Sequence, residues 1–337
     1  MKIEQNYSLE KQNTFHLPVM ARWFMEYETE EELQRILRDE YFQECSSLHI
    51  GGGSNLLFLN DYNGIIVHSL IKGMEVVEET TDQVILRVGA GELWDDVVAF
   101  AAAKEWGGIE NLSHIPGEAG AAALQNIGAY GAEIKDVIQT VEAYNQLTFE
   151  KRIFTNEECQ YSYRYSFFKN EQNDPYIITY ITIRLTKNHH VFHTDYGLLN
   201  QALEGQRLSP AAIRDAVIRI RQSKLPDPEQ LGNAGSFFMN PIISPEKYQQ
   251  LKNEYPDMPS YPAADGRVKV SAGWLIEQCG FKGQSHGAVA VYEKQALVLV
   301  NLGGATGDEI ALVAESIRDT VFSRFGVELI PEVRYIG

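Results

Sequence analysis

The sequence predicts an α+β protein of more than one domain, and three observations predict it. Its 337 residues exceed what one hydrophobic core usually organises, since domains run roughly 100–200 residues. An isoleucine- and threonine-rich run from Tyr176 to Leu185 reads as a strand, while the helix-start patterns at Thr29 and Thr306 read as something else. Patterning also gives way to Pro/Gly-rich sequence near residue 70 and near Pro226, which suggests breaks there. With 44% hydrophobic and 22% charged residues, the composition is that of a folded globular chain.

The elements follow in order. Thr29-Glu30-Glu31-Glu32 is a capping-box pattern that opens a short helix through about Arg38. Leu48-His49-Ile50 is a buried-strand candidate ending at Gly51, and Val84 to Val88 is a second strand. Gly89-Ala90-Gly91 then leads into a helix over about Glu92 to Trp106. Ser209-Pro210 supplies an N-cap and an N1 proline for a helix through Ser223, which Pro226 must follow rather than continue. Ala296 to Val300 is a short buried strand. Thr306-Gly307-Asp308-Glu309 is a second capping box, followed by Ile310, Val313, Ala314, Ile317 and Val321 at helical spacing up to Gly326.

Composition also narrows the partners. The 29 Lys and Arg against 46 Asp and Glu give a formal charge of −17, which repels a nucleic-acid backbone or an anionic bilayer at long range. A net charge is a sum, so a small anionic ligand can still bind where a few cations converge. Cys45, Cys159 and Cys279 are far apart and odd in number, which fits neither a disulfide framework nor a zinc knuckle, and no metal site is expected. The N-terminus lacks the apolar region of a signal peptide, and the longest apolar stretch, around Tyr176 to Ile181, is far short of ~20 residues. A soluble, cytoplasmic, monomeric protein acting on small molecules is expected.

Gly51-Gly52-Gly53-Ser54-Asn55 directly follows a strand candidate, and consecutive glycines let backbone N–H groups point into one concavity suited to phosphate oxygens. It is neither a Rossmann fingerprint nor a P-loop, and a tight turn is the ordinary alternative. The segment Ile115 to Gly131 holds four glycines and five alanines in seventeen residues. It is too small-sided for a core and too apolar for a surface loop, which suits something flat lying against backbone.

Together GGGSN, VGAGELW and IPGEAG…QNIGAYG resemble the FAD-binding half of the vanillyl-alcohol-oxidase-like (PCMH-type) flavoproteins. Within that group the QNIGAYG form resembles the UDP-N-acetylenolpyruvoylglucosamine reductases, the MurB family. Tyr163-Arg164-Tyr165-Ser166-x-Phe168-Lys169, Lys224-Leu225-Pro226-Asp227-Pro228, Gly232 to Pro241 and Pro331 to Gly337 carry the same resemblance, in family order over nearly the whole chain.

The resemblance implies a two-subdomain FAD-binding fold with a separate α+β substrate domain. The division is 1–70, joined by 326–337, then 71–224, then 225–325. It implies non-covalent FAD, contacted by Gly51, Gly52, Gly53, Ser54, Asn55, Ile115, Pro116, Gly117, Gly120, Gln125, Asn126, Gly128, Ala129, Tyr130 and Gly131. It implies NADPH-dependent reduction of UDP-N-acetylglucosamine enolpyruvate to UDP-N-acetylmuramate in peptidoglycan synthesis, and hence a part in cell shape and division. With no Rossmann signature, NADPH is expected to share the sugar-nucleotide cleft and to give ping-pong kinetics.

Hydride delivered from reduced flavin to the terminal enolpyruvyl carbon leaves carbanion character beside a carboxylate. A cation must hold that carboxylate, and an acid must protonate the adjacent carbon. The resemblance gives the first task to Arg164, the proton to Ser236, and an orienting or stabilising role to Glu332. It adds Tyr163, Tyr196, Lys224, Asn240, Gln295 and Arg334 as substrate ligands, and the Asp195-Tyr196-Gly197 loop marks the type I form.

Each residue also has a plainer reading. Tyr161, Tyr163, Tyr165 and Phe167 alternate as on a half-buried strand, with Arg164 facing solvent. Ser236 between Gly235 and Phe237 reads as a turn residue, and Glu332 as an edge-strand charge. Arg214, Arg221 and Lys224 read as a solvated helix face.

Two departures stand out. Ala123 replaces a proline usual in the family, which predicts a looser turn, and Met239 replaces a lysine often found there. The rival functions are an FAD-dependent sugar or alcohol oxidase of the same fold and a flavin-less UDP-sugar-binding module.

Overall fold

The isoleucine-rich run at Tyr176 becomes the middle of a five-stranded antiparallel sheet. In spatial order its strands are Lys151–Thr155, Ile138–Asn145, Tyr176–Thr186, Gln83–Gly89 and Met74–Glu79. The protein is seen here as a computed structural model that describes residues 1–170, 176–263 and 266–337. Ile181, Ile183 and Leu185 are fully buried with Val84, Leu86 and Val88 of the neighbouring strand. Each such side chain stabilises the fold by about 1.5–3 kcal/mol relative to exposure. The helices Trp94–Ala103 and Ala119–Gln125 bury Trp94, Val97, Ala122 and Ala123 in the same core.

A second sheet runs Lys2–Ser8, Met20–Tyr27, Tyr62–Ser69 and Ser47–Ile50, the last pair parallel. Leu33, Ile36 and Leu37 of helix Glu30–Leu37 cover it. Thr29 caps that helix, its hydroxyl accepting from Glu32 N–H at 3.2 Å. The reciprocal arm shifts by one residue, because the Glu32 carboxylate accepts from Glu28 N–H at 2.8 Å rather than from Thr29.

Contacts divide the chain into two compact units. The first holds Met1–Tyr7, Ala21–Gly52 and Asn63–Ser223, and the second holds Ser8–Met20, Gly53–Tyr62 and Lys224–Gly337. The break after Ser223 lies one residue before the division expected at 224, whereas residue 70 falls inside the first unit. Strand Arg334–Ile336 pairs parallel with Leu56–Phe58, and both strands belong to the second unit.

The second unit has a sheet ordered Gly232–Ser236, Val298–Asn301, Val289–Val291 and Ser285–His286, and a smaller one of Ile242–Ile243, Val268–Val270 and Ser260–Pro262. Segment 8–20 is built into it: Asn233 N–H donates to Thr14 O at 2.8 Å, and Asn301 Nδ2 donates to Phe15 O at 2.8 Å. Helix Gly307–Phe325 forms as its sequence dictates. A reciprocal Thr306–Glu309 capping box starts it, Ile310, Val313, Ala314, Ile317 and Val321 are buried, and Gly326 ends it in the left-handed region at φ 60°.

Three elements differ from expectation. The helix expected over 92–106 covers only Trp94–Ala103, because Glu105 turns left-handed at φ 55° and Trp106 N–H folds back to Ala101 O. The strand expected from Ala296 begins at Val298, whose N–H closes a turn onto Gln295 O. Ala123 lies fully buried inside a helix and not in a loosened turn, since alanine supplies the helical N–H that proline lacks.

Candidate active site

The first unit shapes a cradle of small residues. At Gly51 an added β-carbon would stand 3.1 Å from Ala121 Cβ and 3.2 Å from Glu118 Oε2, and at Gly52 it would reach Gly117 Cα at 3.7 Å. Gly117 itself has φ 117°, which disfavours any side chain. Helix Ala119–Gln125 explains the alanine run. Ala119, Gly120, Ala122 and Ala123 pack inward, Gly120 so closely that a β-carbon would come 2.8 Å from Ala90 Cβ, while Ala121, Leu124 and Gln125 stay half-exposed. Ile115, Ile127, Gly128, Ala129 and Tyr130 are also half-exposed, and Pro116 and Gly131 are exposed. This shallow, apolar, backbone-lined surface fits a flat ring system such as flavin.

Asn126 ends that helix in the left-handed region, φ 46°, and is fully buried. Its Nδ2 donates to Ser162 O at 2.8 Å and to Glu133 Oε2 at 3.2 Å, and its Oδ1 accepts from Lys135 N–H. The side chain thereby ties the small-residue segment to the turn carrying Arg164. That turn is no strand. Ser162 and Tyr165 exchange backbone hydrogen bonds, and Arg164 sits between them at φ 56°. The tyrosine alternation therefore does not set Arg164 facing solvent.

The half-buried Arg164 guanidinium donates from Nη2 to Gly128 O at 2.9 Å. Lys169 Nζ braces the same turn, donating to Arg164 O at 3.0 Å and Gln125 Oε1 at 2.9 Å. Tyr163 lies beside Arg164, 5.6 Å from its guanidinium carbon to the ring centre.

The structure separates the roles of Arg214, Arg221 and Lys224 on helix Pro210–Lys224. Arg214 is bound to Asp95 by two hydrogen bonds of 2.6 and 2.8 Å. Arg221 donates to His114 O at 3.0 Å. Its pKa is lowered by burial, and the neighbouring Arg164 charge lowers it further against the opposing pull of Tyr130 and Asp95. Arg221 thus feels both the Tyr130 phenol and the Arg164 charge, and does not stand on a merely solvated helix face. Tyr130, at φ 49°, meets Tyr196 edge to face at 5.9 Å, and its phenol pKa is raised by burial with Arg221 opposing.

In the second unit Gly53 has φ 64°, and a β-carbon there would overlap Gln12 O at 1.9 Å. Asn55, two residues on, holds the C-terminal segment: its Nδ2 donates to Glu332 O at 3.0 Å and its carbonyl accepts from Arg334 N–H at 3.0 Å. Glu332 N–H in turn donates to Phe237 O at 2.8 Å, so the chain beside Ser236 is tied directly to Glu332. Ser236 ends strand Gly232–Ser236, half-exposed after Gly235 at φ 67°, and Gly235 N–H is held by Asn233 Oδ1. Glu332 is half-exposed as well, and Ser54 shares the turn of Asn55. Asn240 Oδ1 accepts from Ala272 N–H at 3.0 Å and Gln295 Oε1 accepts from Leu297 N–H at 3.3 Å. Lys224 and Arg334 are exposed.

Residues 227–336 match the family described as UDP-N-acetylenolpyruvoylglucosamine reductase, C-terminal domain, and residues 21–146 match FAD binding domain. The chain is 51% identical to the UDP-N-acetylenolpyruvoylglucosamine reductase of Porphyromonas gingivalis over all of both chains. It is 48% identical to that of Bacteroides fragilis, covering 99% of this chain and 100% of the other. It is 44% identical to that of Flavobacterium johnsoniae over all of both. The crystal structure of the Thermus caldophilus reductase superposes with a TM-score of 0.70 at 22% identity, covering all of both chains, and bears out the fold. Among the described residues no helix is long and apolar enough to cross a membrane, and no cluster of metal-ligating side chains occurs.

Proposed function

The chain belongs to the UDP-N-acetylenolpyruvoylglucosamine reductase family of flavin-dependent oxidoreductases, and on that premise we propose that it reduces UDP-N-acetylglucosamine enolpyruvate to UDP-N-acetylmuramate with NADPH. FAD, held non-covalently, supplies hydride exchange between the nicotinamide and the enolpyruvyl double bond. Gly51, Gly52 and the Ile115–Gly117 turn would hold its diphosphate, and the half-exposed face from Ala121 to Ala129 would take its ring. The fit rests on small side chains and positive φ, since a β-carbon at Gly51 would press on Ala121 and Glu118.

The remaining chemistry belongs to side chains. Arg164 holds the substrate carboxylate and stabilises the negative charge that develops on it, because its planar fork matches a carboxylate. Ser236 Oγ–H delivers the proton to the carbon beside that carboxylate, completing the addition of one hydride and one proton across the double bond. Glu332 orients the enol form. Lys224, Tyr196, Asn240, Gln295 and Arg334 bind the sugar nucleotide. The observation that supports the proton assignment is the 2.8 Å bond from Glu332 N–H to the carbonyl of Phe237, which ties the backbone of Glu332 to the residue that follows Ser236.

Ser236→Ala is expected to leave flavin reduction by NADPH intact and to slow re-oxidation by the enolpyruvyl substrate by about 10²–10⁴-fold, the usual worth of a general acid. Stopped-flow measurement of the two half-reactions separates them, and equal losses in both would sink the assignment.

A further inference from the structure

Beside the glycine turn lies a buried group of titratable side chains that the proposed reaction does not use. His68, on strand Tyr62–Ser69, is 7% exposed; its Nε2 lies 2.8 Å from Glu118 Oε1 and its Nδ1 3.2 Å from Glu26 Oε1. Glu118 is as buried as His68, and its other oxygen faces Gly51.

A neutral imidazole has one N–H and one lone pair, so between two carboxylates one contact would set a lone pair against an anionic oxygen. The imidazolium donates to both. Burial by itself disfavours the charged ring, but the bonds and charges of Glu118 and Glu26 outweigh it, and the His68 pKa lies above its ordinary value. Protonated, the trio carries one net negative charge; neutral, it carries two.

The other groups near His68 do not replace its proton. From the first strand the exposed Lys2 approaches Glu26 at 3.7 Å and lies over the Tyr7 ring. From the second, the Tyr27 phenol is held neutral by burial, with Glu118 adding to the effect. On strand Ser47–Ile50, His49 pairs with Val67 and so points to the opposite sheet face, where burial pushes its pKa down to about 3.

We propose that His68 and Glu118 are positioning residues for the cofactor: the protonated histidine fixes Glu118 against Gly51 and keeps the glycine turn in the shape and at the charge that accept the flavin diphosphate. The inference rests on the flavin reading of that turn. Loss of the proton frees one carboxylate from its hydrogen bond and adds a negative charge beside an anion site. A group whose folded pKa is raised acts fully below its unfolded value of about 6.5 and loses its effect as pH rises through the folded value.

The test is FAD affinity of the purified protein between pH 6 and 9, read by the change in flavin fluorescence on binding. Wild-type affinity is expected to fall by roughly 10- to 100-fold across that range, the span of one charged hydrogen bond. His68→Gln is expected to be weak already at pH 6 and to show no pH dependence. Glu118→Gln provides the second variant: its amide can donate to a neutral His68, so its profile is expected to be flat even where His68→Gln fails to fold. A flat wild-type profile, or a wild-type-like slope in either variant, overturns the positioning role. A wild-type protein that takes up no FAD at any pH overturns the flavin reading itself.

Discussion

Asn126 shows how much one side chain can organise. It is fully buried in the left-handed region and makes three hydrogen bonds, one of them to the turn that carries Arg164. Asn126→Ala is expected to lower unfolding free energy by about 2–4 kcal/mol, because buried partners lose their bonds and alanine resists φ > 0. Asn126→Gly, which relieves only the backbone strain, is expected to recover up to about 1 kcal/mol of that in urea titration. A different readout reports on Arg164. Arg164→Lys keeps the charge but not the fork, and is expected to reduce kcat/KM for the enolpyruvyl substrate by about 10²-fold with flavin content unchanged. Loss of flavin in parallel with activity would contradict a role confined to the substrate. At this scale the sequence motifs single out residues but not their bonds. Nothing in QNIGAYG says that the asparagine amide faces inward, and nothing in a lone histidine on an apolar strand says that two carboxylates meet it, because those partners lie 42 and 50 residues away.

Elements were legible where local chemistry alone decides them. The Thr306 capping box, the Pro210 start and the isoleucine-rich strand all form where they were expected. Strands Lys2–Ser8 and Met74–Glu79 are exposed along almost their whole length, so no alternation marked them. Tyr161 to Phe167 misled in the opposite sense, since alternation there comes from a turn whose direction Arg164 sets by its positive φ.

What joins these elements is partly electrostatic. Glu142 on Ile138–Asn145 accepts two hydrogen bonds from Arg87, at 2.5 and 2.8 Å, and meets Lys151 Nζ at 2.6 Å, while Lys151 also reaches Glu30. Arg87 in turn stacks 3.4 Å over the Tyr180 ring. Burial raises the Glu142 pKa, yet Arg87 and Lys151 outweigh it and hold the carboxyl below its usual range. A depressed pKa means stability present above the unfolded value of about 4.3 and lost as pH falls through the folded one. Glu142→Gln is expected to cost about 1–3 kcal/mol at pH 7, discounted because the cations are partly exposed, and to flatten the acid limb of the unfolding midpoint. A variant with the wild-type acid slope would show that the network does not govern it.

At the scale of the whole molecule, length implied several domains but not their interleaving. Segments 8–20 and 53–62 belong with Lys224–Gly337, so the C-terminal unit is not a contiguous piece of chain. A fragment of residues 224–337 lacks Leu56–Phe58, the partner of strand Arg334–Ile336, and the Thr14 and Phe15 carbonyls bonded by Asn233 and Asn301. It is expected to melt without a cooperative transition, and a sharp calorimetric peak from it would show that those segments are dispensable. Interleaving of this kind leaves little trace in composition, because it rests on pairing between residues some 280 apart. The charge of −17 gains meaning in the same way. The Arg164 charge acts on Arg221, so two cations gather locally within a net-negative chain, and glycine N–H groups add what no charge count records. The most direct measurement is anaerobic: the yellow protein is reduced with NADPH, the enolpyruvyl sugar nucleotide is added, and the flavin absorbance is followed. Prompt return of the oxidised spectrum is expected; a flavin that stays bleached until air is admitted would instead mark an oxidase and contradict the proposed reaction.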